Sequence, residues 1–278
     1  MKISVIIPNF NGRKLLEKNL PQVLKELIDA EVIIVDDAST DGSADFLSKN
    51  YPQIKVISRK QNMGFASSVN LGVKSAQGEL LLLLNSDVYP RKNLLGPLLP
   101  YFNDPSVFAV GMLQESQEKE GTVGRGRATG GFKRGFLLHR RGGTDKKDTL
   151  WVSGGAGLYR RNIWQKLGGL DEKYDPFYWE DVDLSWRAVK AGYRIFFEPR
   201  SRVVHRQGEG AIRSFFTPDK IKMIAYRNQF YFVWKNLNQG GYLARHAVWL
   251  PYYFLKALFS GDRSFFYGFY EAIKLYRK

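Results

Sequence analysis

The chain contains no cysteine among its 278 residues. Disulfide bonds and thiolate metal sites are therefore excluded, and the redox state of its compartment stays open. Long apolar runs are also scarce, since the longest run near the end, Ala247–Leu255, has about half the length of a membrane-spanning helix. The first residues, MKISVIIPNF, lack the long apolar core and cleavage site of a signal peptide. We therefore expect no segment that crosses a bilayer, and a cytoplasmic location.

Positive charge is abundant but unevenly distributed, with a formal net charge of +15 for the whole chain. Residues 1–113 carry 12 basic and 11 acidic side chains, whereas residues 215–278 carry 10 basic and 3 acidic ones and 19 of the 40 aromatic residues. A basic, aromatic tail behind a nearly neutral front indicates an anionic partner surface, either membrane or nucleic acid. No nucleic-acid partner is expected, because none of the usual binding modules is visible.

Strand and helix patterns alternate through the first 113 residues. The predicted strands are Ile3–Ile7, Glu31–Val35, Ile54–Ile57 and the five-leucine run Leu80–Leu84. Alternation of this kind predicts a parallel sheet with right-handed crossovers. The leucine run lies between Gly78 and Pro90 and has no polar interruption, which is typical of a strand buried on both faces.

Polar residues follow these strands and are expected at one rim of the sheet, where ligands bind in open α/β folds. The set comprises Asn9, Asp36, Asp37, Asn62, Gly64 and Asp87. Asp87 follows Asn85 and Ser86 as a lone carboxylate, which suits a hard divalent cation that also holds a diphosphate. A plain Asn/Ser/Asp turn is the alternative.

Residues 114–149 break the alternation, with eight glycines, many charges and little apolar periodicity. This composition predicts a mobile surface loop. Its Arg and Lys residues either bind an anionic acceptor or simply keep a flexible segment solvated.

A second cluster of chemically active residues lies at Phe177–Arg187, where three acids stand among four aromatic residues at the start of a predicted helix. The helix dipole accounts for part of this acidity. Aromatic walls would in addition form a partly dry pocket, in which one carboxylate acts as a base. His205 ends a later strand and is either an ordinary satisfied histidine, a metal ligand or a phosphate contact.

Seven segments in order carry a resemblance to a known family: SVIIPNFNG, VIIVDDASTDGS, QNMGFASSVNLG, LLLLNSDV, SGGAGLYRR, FYWEDVDLSWR and VVHRQGEG. Together they resemble a family 2 glycosyltransferase of the GT-A fold, within the rhamnosyltransferase-like group, over about residues 1–210. The resemblance implies an α/β nucleotide-diphospho-sugar transferase fold. In that fold a Rossmann-like, mostly parallel sheet is flanked by helices and followed by a C-terminal helical extension.

The same resemblance divides the chain into two parts. Residues 1–213 would form the catalytic domain, and residues 214–278 an aromatic, basic helical region. Within the catalytic domain, 1–113 is the nucleotide-sugar-binding half, 114–149 the flexible basic loop and 150–213 the acceptor and catalytic half.

Roles for individual residues are likewise implied by the resemblance. Nucleotide-sugar binding falls to Pro8, Asn9, Asp36, Asp37, Asn62, Gly64, Asn85 and Ser86. Metal binding, of Mn²⁺ or Mg²⁺, falls to Asp87 and His205; acceptor binding falls to Trp179, Glu180, Gly154 and Gly155. Asp181 corresponds to the catalytic base. Asn85 stands where the family often has the first acid of its metal motif, which leaves fewer carboxylates for the metal.

The implied reaction is an inverting transfer from a nucleotide-sugar donor, dTDP-rhamnose or otherwise a UDP-sugar, to a saccharide or lipid-linked saccharide in cell-surface polysaccharide synthesis. Residues 214–278 would then make peripheral contact with the inner membrane face, or else form a packed subdomain or homodimer interface. A Rossmann dehydrogenase is excluded, because PNFNG replaces Gly-x-Gly-x-x-Gly after the first strand. A catalytically inactive sugar-nucleotide-binding or scaffold subunit is the alternative.

Overall fold

The computed structural model of the chain describes residues 1–118, 121–206, 210–237 and 241–277. The strands are β1 Ile3–Asn9, β2 Glu31–Asp36, β3 Lys55–Ser58, β4 Leu80–Leu84, β5 Val88–Pro90, β6 Val107–Glu118, β7 Gly121–Arg125, β8 Ala128–Lys133, β9 Phe136–Arg141, β10 Ala156–Arg160 and β11 Arg194–His205. The helices are α1 Arg13–Glu26, α2 Ser43–Asn50, α3 Phe65–Ser75, α4 Arg161–Lys166, α5 Glu180–Lys190, α6 Ala211–Phe215, α7 Pro218–Asn236, α8 Tyr242–Phe259 and α9 Arg263–Arg277.

The five leucines of β4 are completely buried, as the sequence predicts. Leu80, Leu82 and Leu84 join the apolar core on the face of the sheet that also holds α1 residues. Leu81 and Leu83 point to the opposite face and join the core with α3 residues. Side chains alternate along a strand, so a strand covered on both faces needs apolar residues at every position.

In the described residues the main sheet has nine strands, with the order β3-β2-β1-β4-β10-β6-β11-β5 and with β7 paired to β6. Strands β1 to β4 are mutually parallel, so the alternation in the first half is confirmed. Beyond β4 the sheet is mixed, since β10 runs antiparallel to both β4 and β6. The carboxyl ends of β1, β2 and β4 lie at one edge.

The prediction of a loop over residues 114–149 is wrong for residues 114–118, 121–125, 128–133 and 136–141, which form strands. Strand β6 continues to residue 118, β7 pairs with it, and β8 and β9 form a separate hairpin. The turn of that hairpin has two residues, Arg134 and Gly135, with φ angles of +50° and +81°. Two residues with positive φ are what a tight hairpin turn requires, so Arg134 and Gly135 allow the two strands to pair.

One strand replaces two predicted strands near the end of the catalytic half. The sequence predicts Tyr193–Phe197 and Arg202–Val204, whereas β11 runs without a break from residue 194 to 205. Its register with β6 shifts between Glu198 and Arg202, and an irregularity of this kind interrupts the apolar pattern that marks a strand.

The C-terminal helices pack against the rest of the chain. A third apolar cluster joins Phe230, Val233 and Phe265 of these helices to Tyr174 and Trp179. The sequence predicts a break at Gly240-Gly241, and Gly240 lies outside the described residues. No helix in the described residues is long and apolar enough to cross a membrane.

Candidate active site

A cavity of about 510 Å³ opens at the carboxyl ends of β1, β2 and β4. It is lined by most of the residues that the sequence singles out: Pro8, Asn9, Asp37, Asn62, Gly64, Asn85, Ser86, Asp87, Gly154, Gly155, Glu180, Asp181 and His205. Parallel strands deliver their last residues to the same edge, which is why residues so distant in the chain meet here.

Asp37 organises the loop over residues 62–64 at one side of the cavity. Its Oδ2 accepts hydrogen bonds from the backbone N–H of Gly64 at 2.8 Å and of Met63 at 3.1 Å. The Arg59 Nε lies 3.6 Å from Oδ1. A buried carboxylate is stabilised by such donors, and in return it holds the backbone of this loop in place.

Asp36, which the sequence predicts as a binding residue, does not line the cavity. Its Oδ2 accepts from the side-chain amide of Asn9 at 2.8 Å, and its Oδ1 accepts from the backbone N–H of Ser39 at 3.0 Å. Successive side chains point to opposite sides at a strand end, so Asp36 turns inward while Asp37 faces the loop. Asp36 therefore orients Asn9, whose buried Oδ1 has no hydrogen-bond partner.

Asp87 and His205 form a pair beside Asn85 and Ser86. Strands β5 and β11 are antiparallel with His205 opposite Val88, and this register brings His205 to Asp87. The distance from His205 Nε2 to Asp87 Oδ2 is 3.3 Å, while Asp87 Oδ1 is buried without a hydrogen-bond partner. The neighbouring Asn85 Oδ1 is likewise buried without a partner.

These two residues fit a divalent cation. His205 Nδ1 lies 2.8 Å from Gln114 Oε1, and a proton on Nδ1 would satisfy that contact. In the neutral ring the lone pair of Nε2 then faces the carboxylate of Asp87, an arrangement that a shared cation stabilises. The described residues contain no group of three or more His, Cys, Asp or Glu side chains that could hold a metal ion, so the remaining ligands of a cation here would be other oxygen atoms, such as those of a diphosphate.

Asp181 faces the cavity from the first turn of α5. Its Oδ2 accepts from the backbone N–H of Gly154 at 3.2 Å, and its Oδ1 from Val182 N–H at 2.8 Å. Gly155 is sterically required, since a Cβ there would lie 2.5 Å from the Asn85 side chain, whereas a Cβ on Gly154 would lie 3.1 Å from the Phe65 ring. Because these two residues have no side chains, the segment before β10 can lie close to Asn85 and Phe65.

The pKa values of the acidic pair on α5 are raised. Burial raises the pKa of Asp181 to about 6. Burial, together with the adjacent charge of Asp181, raises the pKa of Glu180 well above its usual range. Desolvation penalises the charged form of a carboxyl group, so Asp181 is the member of the pair that ionises first.

Trp179, which the sequence predicts as an acceptor-binding residue, does not line the cavity. Its ring packs against Phe232 of α7 at a centroid distance of 5.1 Å. Tyr178 and Trp179 both have positive φ angles, +73° and +77°, and this unusual backbone turns the chain at the start of α5. Tyr178 and Phe177 line the cavity instead.

Several lining residues are not among the site residues that the sequence predicts. They are Phe10, Phe65, Ser68, Arg125, Ser153, Pro176, Gly210, Ala211, Ile212, Arg213 and Phe216. Arg125 lies in the stretch that composition assigns to a loop, and the pairing of β7 with β6 brings it here. Part of the VVHRQGEG segment, residues 207–209, lies outside the described residues.

Comparison with solved structures shows the fold. The Staphylococcus aureus TarS 1–349 structure in complex with UDP-GlcNAc matches 89% of this chain and 72% of that one, with a TM-score of 0.61 and 20% identity. The mannosyltransferase PcManGT from Pyrobaculum calidifontis, in complex with GDP-Man and Mn²⁺, matches 99% and 86% of the two chains, with a TM-score of 0.62 and 16% identity. The predicted GT-A fold is thereby confirmed.

Two of the curated relatives come from Mycobacterium tuberculosis. Its pre-mycofactocin glycosyltransferase is 31% identical over 212 residues, which cover 73% of this chain and 42% of that protein. Its N-acetylglucosaminyl-diphospho-decaprenol L-rhamnosyltransferase is 26% identical over 219 residues, which cover 66% and 68%. The chain thus spans less than half the length of the first relative. The sequence profile described as "Glycosyl transferase family 2" matches residues 4–168, and the chain belongs to that family.

Proposed function

We propose that this chain transfers a sugar from a nucleotide-diphosphate donor to an acceptor hydroxyl with inversion at the anomeric carbon. The observation that supports this most strongly is the shared cavity. A carboxylate with a raised pKa, Asp181, faces the same space as Asp87 and His205, and the loop held by Asp37 closes one side. A one-step displacement at the anomeric carbon requires a base, a pair of residues that binds a cation, and a loop that binds the nucleotide.

In the proposed reaction Asp181 accepts the proton of the acceptor hydroxyl. The hydroxyl oxygen forms a bond to the anomeric carbon while the bond from that carbon to the diphosphate oxygen breaks, and the nucleoside diphosphate leaves with the electron pair. Burial raises the pKa of Glu180 well above its usual range, which favours its neutral form beside Asp181. The sequence offers no separate nucleophile, which favours one step over a covalent intermediate.

Asp87 and His205 would hold the divalent cation, Mn²⁺ or Mg²⁺. When bound, such a cation supplies positive charge to the leaving diphosphate. Asn85 contributes an amide oxygen where the family often has an acid, so the protein brings one carboxylate to the cation.

For the substrates we propose dTDP-rhamnose, or otherwise a UDP-sugar, and a lipid-linked saccharide of cell-surface polysaccharide synthesis. The L-rhamnosyltransferase relative supports the donor, and its name describes a diphospho-decaprenol-linked acceptor. The basic, aromatic residues 214–278 would bring the enzyme to the inner membrane face that presents such a lipid. The replacement of a metal-motif acid by Asn85 favours one alternative, an inactive sugar-nucleotide-binding or scaffold subunit.

Calorimetric titration of UDP, dTDP and GDP, with and without Mn²⁺, tests the donor site. We expect one nucleotide to bind in a metal-dependent manner to the native chain. Binding should fall strongly in Asp87→Ala, because the single carboxylate of the cation site is lost.

Asp45→Ala is the matched control, since Asp45 is an exposed acid on α2 away from the cavity. It should bind as the native chain does. If no nucleotide binds under any condition, or if Asp87→Ala binds like the control, the proposed donor site is wrong. Nucleotide binding without transfer to any saccharide acceptor would favour the inactive subunit.

A further inference from the structure

Helix α8 exposes an apolar stripe to solvent. Val248, Tyr252, Leu255 and Phe259 are spaced by four, three and four residues, so they share one side of the helix. Val248 is 76% exposed, Leu255 54% and Phe259 86%. We call these four residues the α8 face. Contiguous exposed apolar surface of this kind marks an interaction site.

The charged side chains of α8 itself have one sign. The sequence of α8 contains no acidic residue, and its cations Arg245 and Lys256 are both exposed. An apolar helix side flanked by cations is the pattern of a helix that lies in a lipid headgroup layer.

The β8–β9 hairpin adds more positive charge to the same region. Its tip is fixed to α8, because His246 Nδ1 hydrogen-bonds to the Gly135 carbonyl at 2.7 Å and Arg134 lies over the Trp249 ring at 5.5 Å. Residues 128–141 include Lys133, Arg134, Arg140 and Arg141, and their sequence contains no acid. These four cations are exposed.

We propose that the α8 face and the β8–β9 hairpin together bind an anionic lipid surface. The apolar stripe enters the headgroup boundary while the cations contact lipid phosphates. A second copy of this chain is a poorer occupant, because a two-fold interface would bring the cations of α8 and the hairpin toward the same cations of the partner.

Vesicle co-sedimentation of the full chain at low salt tests this surface. Nucleotide is left out, so the result does not depend on the proposed function of the cavity. We expect binding to vesicles of phosphatidylglycerol and phosphatidylcholine in equal amounts, and much weaker binding to phosphatidylcholine alone.

Two double variants separate the apolar and electrostatic contributions. Leu255→Gln with Phe259→Gln should weaken vesicle binding by about tenfold or more, since two apolar side chains no longer enter the lipid. Lys133→Gln with Arg134→Gln should weaken it by about fivefold for each cation removed. All four side chains are exposed, so the variants should keep the native melting temperature.

The matched controls lie elsewhere on the surface. Ile28→Gln removes an apolar side chain that is 83% exposed, and Lys49→Gln with Lys74→Gln removes two exposed cations from α2 and α3. Both controls should bind vesicles like the native chain. Absence of binding by the native chain, or native binding by the Leu255/Phe259 variant, overturns the proposal. Sedimentation equilibrium showing a dimer that this variant dissociates, without vesicle binding, would overturn it in favour of a second copy.

Discussion

Acidic side chains at the carboxyl edge of the sheet differ in the partners that surround them. Asp36 and Asp37 are occupied by amide donors from the protein and act as structural supports. Asp87 has a buried oxygen without a hydrogen-bond partner, and Asp181 faces the cavity with a pKa raised to about 6. Asp87 is therefore distinguished by an incomplete set of protein contacts, whereas Asp181 has a backbone donor on each oxygen and is distinguished by its burial and raised pKa.

The pH dependence of sugar transfer should follow the ionisation of Asp181. We expect kcat/KM to rise as the pH increases through about 6 and then to level off, because burial raises the pKa of Asp181 to about 6 and only its deprotonated form accepts a proton. Asp181→Asn should lower kcat by about 100-fold or more while nucleotide binding is retained. Initial rates across the acid and neutral range provide the measurement.

Asp175 supplies the control for this pH profile, because burial raises its pKa to about 6 as well. It accepts from Ala66 N–H at 2.7 Å and holds the first turn of α3. Asp175→Asn should leave the acid limb of the profile in place. Loss of that limb in Asp175→Asn, with native rates in Asp181→Asn, would contradict the assignment of the base.

Gly64 should be intolerant of any side chain. Its φ is +99°, and an added Cβ would lie 2.5 Å from the carboxylate carbon of Asp175. We expect Gly64→Ala to weaken nucleotide binding by about tenfold, or about 1.4 kcal/mol, because the loop held by Asp37 must shift. Gly192→Ala, with φ of +86° and no heavy atom within 4 Å, has the same backbone cost without the clash. Equal nucleotide affinity in the two variants would contradict this expectation.

At the scale of elements, α7 anchors the helix that carries Asp181. Asp183 is completely buried on α5 and accepts from the Tyr174 hydroxyl at 3.1 Å and from Arg187 Nε at 2.7 Å. Two donors come from α7: Asn236 Nδ2 at 2.7 Å and Lys235 Nζ at 2.9 Å. A buried carboxylate needs this number of partners, so α5 cannot shift without leaving a charge unsatisfied.

Removal of one cation from this network should cost stability. We expect Lys235→Met to lower the free energy of unfolding by about 1–3 kcal/mol, because buried Asp183 loses a charged donor. Lys274→Met is the matched control, since Lys274 pairs with Glu271 on the surface of α9. That change should stay within about 0.5 kcal/mol. Urea unfolding of both variants measures the two losses. An equal loss of free energy of unfolding in both would show that the contact of Lys235 with Asp183 stabilises the protein no more than a surface ion pair does.

Over the whole molecule, the C-terminal helices and the catalytic half share one apolar cluster. Tyr174, Trp179 and Val182 pack in it with Phe230 and Phe232. The position at which the sequence divides the chain, after residue 213, therefore separates segments that bury each other's side chains. Residues 214–278 contribute to the active-site half through packing, in addition to any partner they bind.

A chain that is shortened to residues 1–213 should consequently not reach the folded structure that these residues have in the full chain. Exposure of Tyr174, Trp179 and Val182 to water would alone remove about 5 kcal/mol of stabilisation from apolar burial. This is comparable to the free energy of unfolding of a whole domain. We expect loss of a cooperative thermal transition, with loss of nucleotide binding. A native melting temperature and native nucleotide affinity in the shortened chain would contradict this and support an independent domain at 1–213.

Local patterns carried the prediction of the first half of the chain. Five successive leucines are stable in a strand only if both faces of the sheet are covered. The carboxyl ends of parallel strands lie at one edge of the sheet. Asn9, Asp37 and Asp87 therefore reach one cavity, as predicted, and the fold and family are confirmed. The roles of these residues in binding and catalysis stay predictions.

By itself, then, the sequence determined which elements alternate, which strand is buried on both faces and which strand ends carry polar groups, because these depend on neighbours along the chain. Only the tertiary structure decided that Asp36 turns inward, that Trp179 packs on α7 and that His205 meets Asp87. It also decided that the glycine-rich middle pairs as strands. Each of these outcomes depends on a backbone turn or on pairing with a distant segment, and such contacts leave no periodic signal in the sequence.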